Sequence, residues 1–369
     1  MRQICIVAGA RPNFVKVAPL VRAIRNSGKA RYQLVYAGRE DDPTLEESLF
    51  EDLQMPHPDV YLGVDSLRLN EITAQVMGAF DKYLEEHPTD IVIVVDDLAS
   101  TMAAAITAKK RNMKLAHLVA GTRSFDINMP KEVNRLVIDA LSDYLFTAGV
   151  KSNSVATREQ QSETSQAYMV GNILMDTLRY NLPRFTPPSS LHTLWGKDLS
   201  ENGKPSDYLV LTLNRKALLG DEENLRHTLQ AIVEETGNVP VVAPLRDSAI
   251  GVVVRLLTEM QVKSSKLMIL SPLPYLEFGW LTAHAKGIIT DSGNVAEEAT
   301  FNHVPCITLN SYTEHQETVT VGSNVLVGGD MDKLRQALRD MVRGEWKKCA
   351  LPDCWDGRTA ERIVQILLN

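Results

Sequence analysis

The chain has 369 residues, enough for two ordinary domains, and 44% hydrophobic with 23% charged residues is typical of a globular protein. A formal net charge of −7 argues against nucleic acid or an anionic membrane as the main partner. With no apolar run near the ~20 residues that span a bilayer, no signal-peptide pattern and only four scattered cysteines, we expect a cytoplasmic protein.

Short apolar runs alternate with longer amphipathic segments along the chain, which predicts parallel sheets covered by helices. In the first half the predicted strands are Gln3–Ala8, Gln33–Ala37, Ile91–Val95, Lys114–Leu118, Tyr144–Thr147 and Ala167–Val170. In the second half they are Tyr208–Thr212, Val239–Ala243, Leu267–Leu270, Gly287–Thr290, Pro305–Leu309 and Asn324–Val327. Helical patterns between strands include Leu69–Glu86, Ser100–Arg111 and Leu225–Glu235.

The two series of strands are separated by the proline-rich stretch Pro183–Pro205, which predicts an irregular connection. The predicted fold class is α/β, with two doubly wound, Rossmann-like parallel-sheet domains facing a cleft. We expect the first domain to comprise residues 1–172 together with a C-terminal helix at 357–369. Residues 173–356 would form the second, nucleotide-binding domain.

Basic side chains follow the first predicted strand. A turn at Gly9 precedes a helix that starts near Pro12, an arrangement that presents free backbone N–H groups. Arg11 and Lys16 add positive charge suited to a diphosphate. The same residues also fit a tight glycine turn with two solvated basic side chains.

A second polar loop, Asp291-Ser292-Gly293, follows a strand of the second half and precedes a helix. Ser292 and the backbone at Gly293 could hold a phosphate at the amino end of that helix. Glu297 or Glu298 on the helix could accept hydrogen bonds from ribose hydroxyls. An ordinary amino-terminal cap followed by helical glutamates is the competing interpretation.

Both loops are similar to motifs of one family. Gly9–Leu20 resembles the G-x-R-P-x-x-x-K-x-A-P-L opening of the non-hydrolysing UDP-N-acetylglucosamine (UDP-GlcNAc) 2-epimerases, and Asp291–Glu298 resembles their D-S-G-G-x-x-E-E. Further similar segments follow in the same order: Ala120–Arg123, Pro130–Arg135, Gly171–Asn172 and Trp355–Arg362. The resemblance therefore spans the whole chain.

The resemblance implies a glycosyltransferase-B-type fold with UDP or a UDP-sugar as ligand. The family interconverts UDP-GlcNAc and UDP-N-acetylmannosamine (UDP-ManNAc) by eliminating and re-adding UDP, without a metal or a redox cofactor. The positions implied to bind substrate are Arg11, Lys16, Arg135, Phe278, Ser292, Gly293 and Glu298. The resemblance also implies a homodimer, or a heterodimer with an active paralogue.

The family's catalytic positions are only partly kept. Asp97 and Glu132 remain as catalytic candidates, whereas Val119, Lys131 and Asn214 stand where the family has two glutamates and a histidine. Valine cannot transfer a proton, and asparagine cannot cycle one as imidazole does. We therefore expect the family activity to be impaired or altered. The alternatives are a catalytically degenerate subunit that binds nucleotide-sugar or regulates a partner, and a different reaction such as hydrolytic release of UDP.

Three charged residues could compensate for these losses. Asp96 could form a carboxylate pair with Asp97, but neighbours on a strand point to opposite faces, so a structural or solvated role for Asp96 is favoured. Lys131 could contact a phosphate or could be an exposed lysine at a helix start. His315 could act as an acid or could be a tolerated polar substitution.

Overall fold

The computed structural model describes residues 1–160, 163–191 and 207–369. The chain divides into two compact units, Met1–Tyr180 with Asp353–Asn369, and Asn181–Pro352. Residues 192–205 of the predicted connection Pro183–Pro205 lie outside the described residues. None of the helices in the described ranges is long and apolar enough to cross a membrane.

The first unit is built on a parallel sheet of seven strands in the order β3-β2-β1-β4-β5-β6-β7. The strands are β1 (Arg2–Ala8), β2 (Ala30–Tyr36), β3 (Val60–Tyr61), β4 (Ile91–Val95), β5 (Lys114–Ala120), β6 (Tyr144–Thr147) and β7 (Gln166–Met169). The helices are α1 (Arg11–Ser27), α2 (Glu47–Leu53), α3 (Leu69–Glu86), α4 (Ala99–Lys110), α5 (Pro130–Leu141), α6 (Val150–Arg158) and α7 (Ile173–Asn181). All five residues of β4 are buried, as expected for a central strand with helices on both faces.

The second unit contains a parallel sheet of six strands in the order β10-β9-β8-β11-β12-β13. The strands are β8 (Leu209–Thr212), β9 (Val241–Pro244), β10 (Leu267–Leu270), β11 (Gly287–Thr290), β12 (Cys306–Thr308) and β13 (Asn324–Leu326). The helices are α8 (Lys216–Gly220), α9 (Glu222–Glu235), α10 (Asp247–Glu259), α11 (Tyr275–Ala283), α12 (Gly293–Phe301), α13 (Glu317–Thr320) and α14 (Met331–Arg343).

The chain ends in helix α15 (Thr359–Leu368), which packs against α1 in the first unit. The carboxylate of Asp176 accepts hydrogen bonds from the first two backbone N–H groups of α15, those of Thr359 and Ala360. Just before the helix, Trp355 is fully buried and its Nε1 donates to the carbonyl of Ala148, 2.9 Å away. The C-terminal segment is therefore an integral part of the first unit.

Helix α1 carries Pro19 in its interior, where proline removes the hydrogen bond to the carbonyl four residues earlier. That carbonyl belongs to Val15, and it accepts a hydrogen bond from the hydroxyl of Thr177 on α7. A buried carbonyl without a partner would be costly, so this side chain compensates for the proline.

The twelve predicted strands are all present, with ends that differ by up to three residues. Strand β3 was missed, because two residues at a sheet edge are too short to produce an alternating pattern. Each sheet has the doubly wound strand order. In this order, the helices that follow the two central strands pack on opposite faces of the sheet; these strands are β1 and β4 in the first unit and β8 and β11 in the second.

Candidate functional site

Ligands of doubly wound sheets bind at the carboxyl ends of the strands where the strand order reverses. In the first unit this point lies between β1 and β4, and in the second unit between β8 and β11. Many of the predicted site residues lie in the loops and helix starts that follow these four strands, namely Arg11, Lys16 and Asp97 in the first unit and Asn214, Ser292 and Gly293 in the second.

The turn between β1 and α1 is closed by Asn13, whose Oδ1 accepts the backbone N–H groups of Gly9 (2.8 Å) and Ala10 (3.2 Å). A Cβ atom on Gly9 would lie 2.1 Å from the Ser100 hydroxyl and 2.9 Å from Cδ1 of Leu98, so a larger residue would require these side chains to move. Arg11 is exposed at this turn. The predicted glycine turn is therefore real, and at least one of its two basic residues is solvated.

Lys16, on the second turn of α1, is buried, with its Nζ 2.5 Å from Oδ1 of Asp96. The other oxygen of Asp96 accepts Nδ2 of Asn13 at 2.8 Å. The expected structural role of Asp96, apart from Asp97, is confirmed. Strand alternation is not the reason, because β4 ends at Val95 and Asp96 adopts a left-handed backbone with φ of 59°. Asp96 is neither solvated nor paired with Asp97.

Asp97 is held by two cations from helix α5. The Arg135 guanidinium lies 2.6 Å from Oδ2, and the Lys131 ammonium lies 3.2 Å from Oδ1. Burial would raise the pKa of Asp97, but Lys131 and Arg135 outweigh it and hold the pKa below its ordinary value. Lys131 is thus an ion-pair partner as well as a largely exposed lysine at a helix start. A carboxylate pair with a raised pKa is not formed.

Glu132 is buried and its carboxylate is also occupied. It accepts the backbone N–H and the hydroxyl of Ser124, the N–H of Phe125, and Nη1 of Arg135 at 3.2 Å. Burial raises the pKa of Glu132, and these donors more than offset that and lower it. Glu132 therefore organises the loop before α5, and Arg135 links it to Asp97.

Val119 interrupts β5 at an irregularity in its pairing with β6 and has φ of 75°. This left-handed conformation is strained for a β-branched residue, and such strain occurs frequently at functional sites. Beside it, the buried carboxylate of Asp139 accepts Nδ1 of His117 (2.5 Å), the N–H of Gly121 (3.0 Å) and Nη1 of Arg123 (2.7 Å).

The His117–Asp139 pair was missed by the sequence analysis, which gave His117 no role. A detectable signal existed, since a histidine inside an apolar strand and an aspartate on the buried face of an amphipathic helix each need a partner. Nothing in the sequence, however, pairs two residues separated by 22 positions.

In the second unit Asp291 connects two strand ends. Its Oδ2 accepts the backbone N–H groups of Asn214 (2.8 Å) and Arg215 (2.7 Å), and its carbonyl accepts Nδ2 of Asn310 (3.0 Å). Asp291 is 1% exposed, and its Oδ1 has no hydrogen-bond partner among the described residues. The Asn214 side chain is exposed, so position 214 faces solvent within its own unit.

Helix α12 begins directly after Ser292, whose side chain makes no capping hydrogen bond. The ordinary cap proposed as the competing interpretation is therefore absent, and the space around Gly293 is open. One turn further on, burial and then the neighbouring Glu297 raise the pKa of Glu298 to about 8. His315 Nε2 lies 3.6 Å from the Glu297 carboxylate, and Phe278 packs partly buried against the core of this unit.

Residues 22–368 match the family model described as UDP-N-acetylglucosamine 2-epimerase. The chain belongs to the UDP-GlcNAc 2-epimerase family. It is 31% identical to the UDP-GlcNAc 2-epimerase of Methanocaldococcus jannaschii, over 99% of this chain and 98% of the relative. It is also 31% identical to the UDP-2,3-diacetamido-2,3-dideoxy-D-glucuronate 2-epimerase of Pseudomonas aeruginosa, over 91% of each chain.

Solved structures agree with this assignment. The M. jannaschii epimerase in complex with UDP-GlcNAc and UDP has a TM-score of 0.82 at 31% identity, with 99% of both chains covered. The Neisseria meningitidis epimerase, at 21% identity and a TM-score of 0.86, shows the same fold. A lipopolysaccharide outer core galactosyltransferase, at 14% identity and a TM-score of 0.57, resembles it more distantly. The predicted class, two doubly wound α/β domains of the glycosyltransferase-B type, is confirmed.

Proposed function

We propose that this member of the UDP-GlcNAc 2-epimerase family binds UDP or a UDP-sugar and that its UDP-GlcNAc/UDP-ManNAc interconversion is strongly impaired. Ligand binding is supported by the M. jannaschii relative, which was crystallised with UDP-GlcNAc and UDP. It is also supported by the open, uncapped amino end of α12 at Gly293 and by the buried carboxyl of Glu298 on the same helix. Glu298, Ser292, Gly293, Phe278 and Arg11 are the proposed binding positions.

The impairment rests on one observation, the double ion pair at Asp97. Epimerisation at C2 requires a base strong enough to remove a weakly acidic proton. Arg135 and Lys131 stabilise the carboxylate form of Asp97 and keep its pKa below the ordinary value, which weakens it as a base. Lys131 occupies a position where the resemblance implies a glutamate, so one substitution removes an acid–base group and restrains another.

The other two replacements act in the same direction. Val119 has no ionisable group, and Asn214 cannot deliver a proton as a histidine does. Loss of a single general acid or base typically costs about 10²–10⁴ in rate. Even without additivity, the loss of three such groups would leave little turnover. The proposed binding positions are other residues, so ligand affinity can persist after the reaction is lost.

The decisive experiment combines binding with isotope exchange. UDP affinity is measured by calorimetry, and UDP-GlcNAc is incubated with the protein in heavy water while NMR follows the C2 position and released UDP. We expect saturable UDP binding with no measurable deuterium at C2. The M. jannaschii relative, processed in parallel, serves as the active control. Epimerisation at a rate similar to that control would overturn the proposal, and free UDP without epimerisation would identify a hydrolytic activity instead.

A further inference from the structure

The carboxylate of Asp96 lies against the first two turns of α1, directly after the β1–α1 turn. Asp96 places one carboxylate oxygen 2.5 Å from the Lys16 ammonium and the other 2.8 Å from Nδ2 of Asn13. Asn13 in turn uses its Oδ1 to bind the backbone N–H groups of Gly9 and Ala10. The donors that make such a turn attractive to a phosphate are therefore engaged by side chains of the chain itself.

Asp96 is fixed in this position through its backbone. Its N–H donates to the carbonyl of Leu118 (3.2 Å), and its own carbonyl accepts Nε2 of His117 (3.0 Å). His117 is anchored by Asp139. The left-handed conformation of Asp96, φ 59°, directs the side chain toward α1, where its exposed fraction is only 17%. The contact is thus built by the sheet and does not depend on a mobile surface side chain.

We propose that Asp96 is a specificity-determining residue that competes with a ligand's diphosphate for Lys16 and Asn13. The inference rests on the proposed function, because it takes UDP or a UDP-sugar as the ligand and places the diphosphate of that ligand at the β1–α1 turn. A diphosphate that enters the turn meets a carboxylate of its own sign and must displace it from the ammonium. Wild-type protein therefore binds the nucleotide mainly through other contacts and gains little from the diphosphate.

The test is a neutralising substitution with a matched control. Asparagine keeps the shape of Asp96, tolerates a left-handed backbone and can still accept a hydrogen bond, so Asp96→Asn removes mainly the charge. Asp90→Asn makes the same change at the opposite end of β4, where the carboxylate of Asp90 accepts a hydrogen bond from the backbone N–H of Gln3. UDP and inorganic pyrophosphate are titrated calorimetrically into both variants and the wild type, and thermal unfolding verifies that each is folded.

We expect Asp96→Asn to bind UDP and pyrophosphate about tenfold more tightly, with Asp90→Asn unchanged. The double variant Asp96→Asn/Lys16→Met should lose that gain. The inference is overturned if Asp96→Asn binds both ligands with affinities within about twofold of the wild type. It is also overturned if neither protein binds either ligand. Pyrophosphate binding that appears only in Asp96→Asn, with no UDP binding by wild type, would refute the proposed function and leave this inference standing.

Discussion

The Lys131 ammonium lies 3.2 Å from Oδ1 of Asp97, whereas Arg135 binds the other carboxylate oxygen, Oδ2. Lys131 is the more exposed of the two cations, with 58% of its side chain accessible against 3% for Arg135. Lys131 can therefore be replaced without creating a cavity in the core, so a substitution there tests how ion pairing changes the pKa of Asp97.

Lys131→Gln should raise the pKa of Asp97 toward its ordinary value, because burial then opposes only one cation. Carboxyl-carbon NMR titration measures this directly. A depressed native pKa stabilises the fold above the unfolded value of 3.8, and the benefit is lost as the pH falls through the native pKa. The variant should accordingly lose less stability on acidification. Lys110→Gln, an exposed lysine on α4, should leave the titration of Asp97 where it was.

Glu298→Gln should flatten the alkaline limb of the stability profile. The pKa of Glu298 is raised from 4.5 to about 8, so its contribution is present below pH 4.5 and is lost as the pH rises toward 8. At 1.36 kcal/mol per pH unit, the wild type should lose on the order of 3 kcal/mol between pH 6 and pH 8 through this group. Denaturant unfolding at both pH values measures the difference, and the exposed Glu345→Gln serves as control. An equal loss in Glu298→Gln and wild type would contradict the assignment.

Val119→Gly should increase the free energy of unfolding by about 0.5–1 kcal/mol, since glycine adopts φ of 75° without the strain that valine carries there. Val150→Gly is the matched control, because Val150 is an exposed valine in the first turn of α6 with ordinary helical neighbours. That control should lose stability. Urea unfolding curves distinguish the two, and a loss in both variants would show that Val119 is not strained.

Restoring the three family side chains should recover the family reaction. The triple variant Val119→Glu/Lys131→Glu/Asn214→His should epimerise UDP-GlcNAc at least about 10²-fold faster than the parent chain, measured by deuterium incorporation at C2. The same three residue changes at exposed positions, Val150→Glu/Lys110→Glu/Asn238→His, control for altered charge. No gain in a folded triple variant would place the defect elsewhere in the chain.

Much of the architecture was predictable because a buried parallel strand appears in the sequence as a short continuous run of apolar residues. Ile91–Val95 is apolar on both faces and forms a central strand, and the equally buried Gly287–Thr290 forms a central strand in the second unit. The loops after these strands fall at the points where strand order reverses. Strand pattern and glycine position were therefore enough to predict that the candidate residues lie beyond the carboxyl ends of the strands.

Side-chain partners were not predictable, because they depend on backbone torsions that the sequence does not reveal. Asp96 was assigned by strand alternation, yet its φ of 59° turns its carboxylate onto Lys16, 80 positions earlier in the chain. Likewise, Lys131 gave no sign that it would reach Asp97. Substitutions at a few positions were visible in the sequence, whereas the ion pairs they create emerged only from the fold.

The docking of α15 on α1 has a consequence for synthesis on the ribosome. Helix α1 packs against a helix that is translated more than 300 residues later. The second unit, whose residues 181–352 are contiguous, can complete its own sheet while the nascent first unit still waits for its final helix. A stop codon or proteolysis near residue 358 would thus destabilise the first unit, which is synthesised first, and would leave the second unit intact.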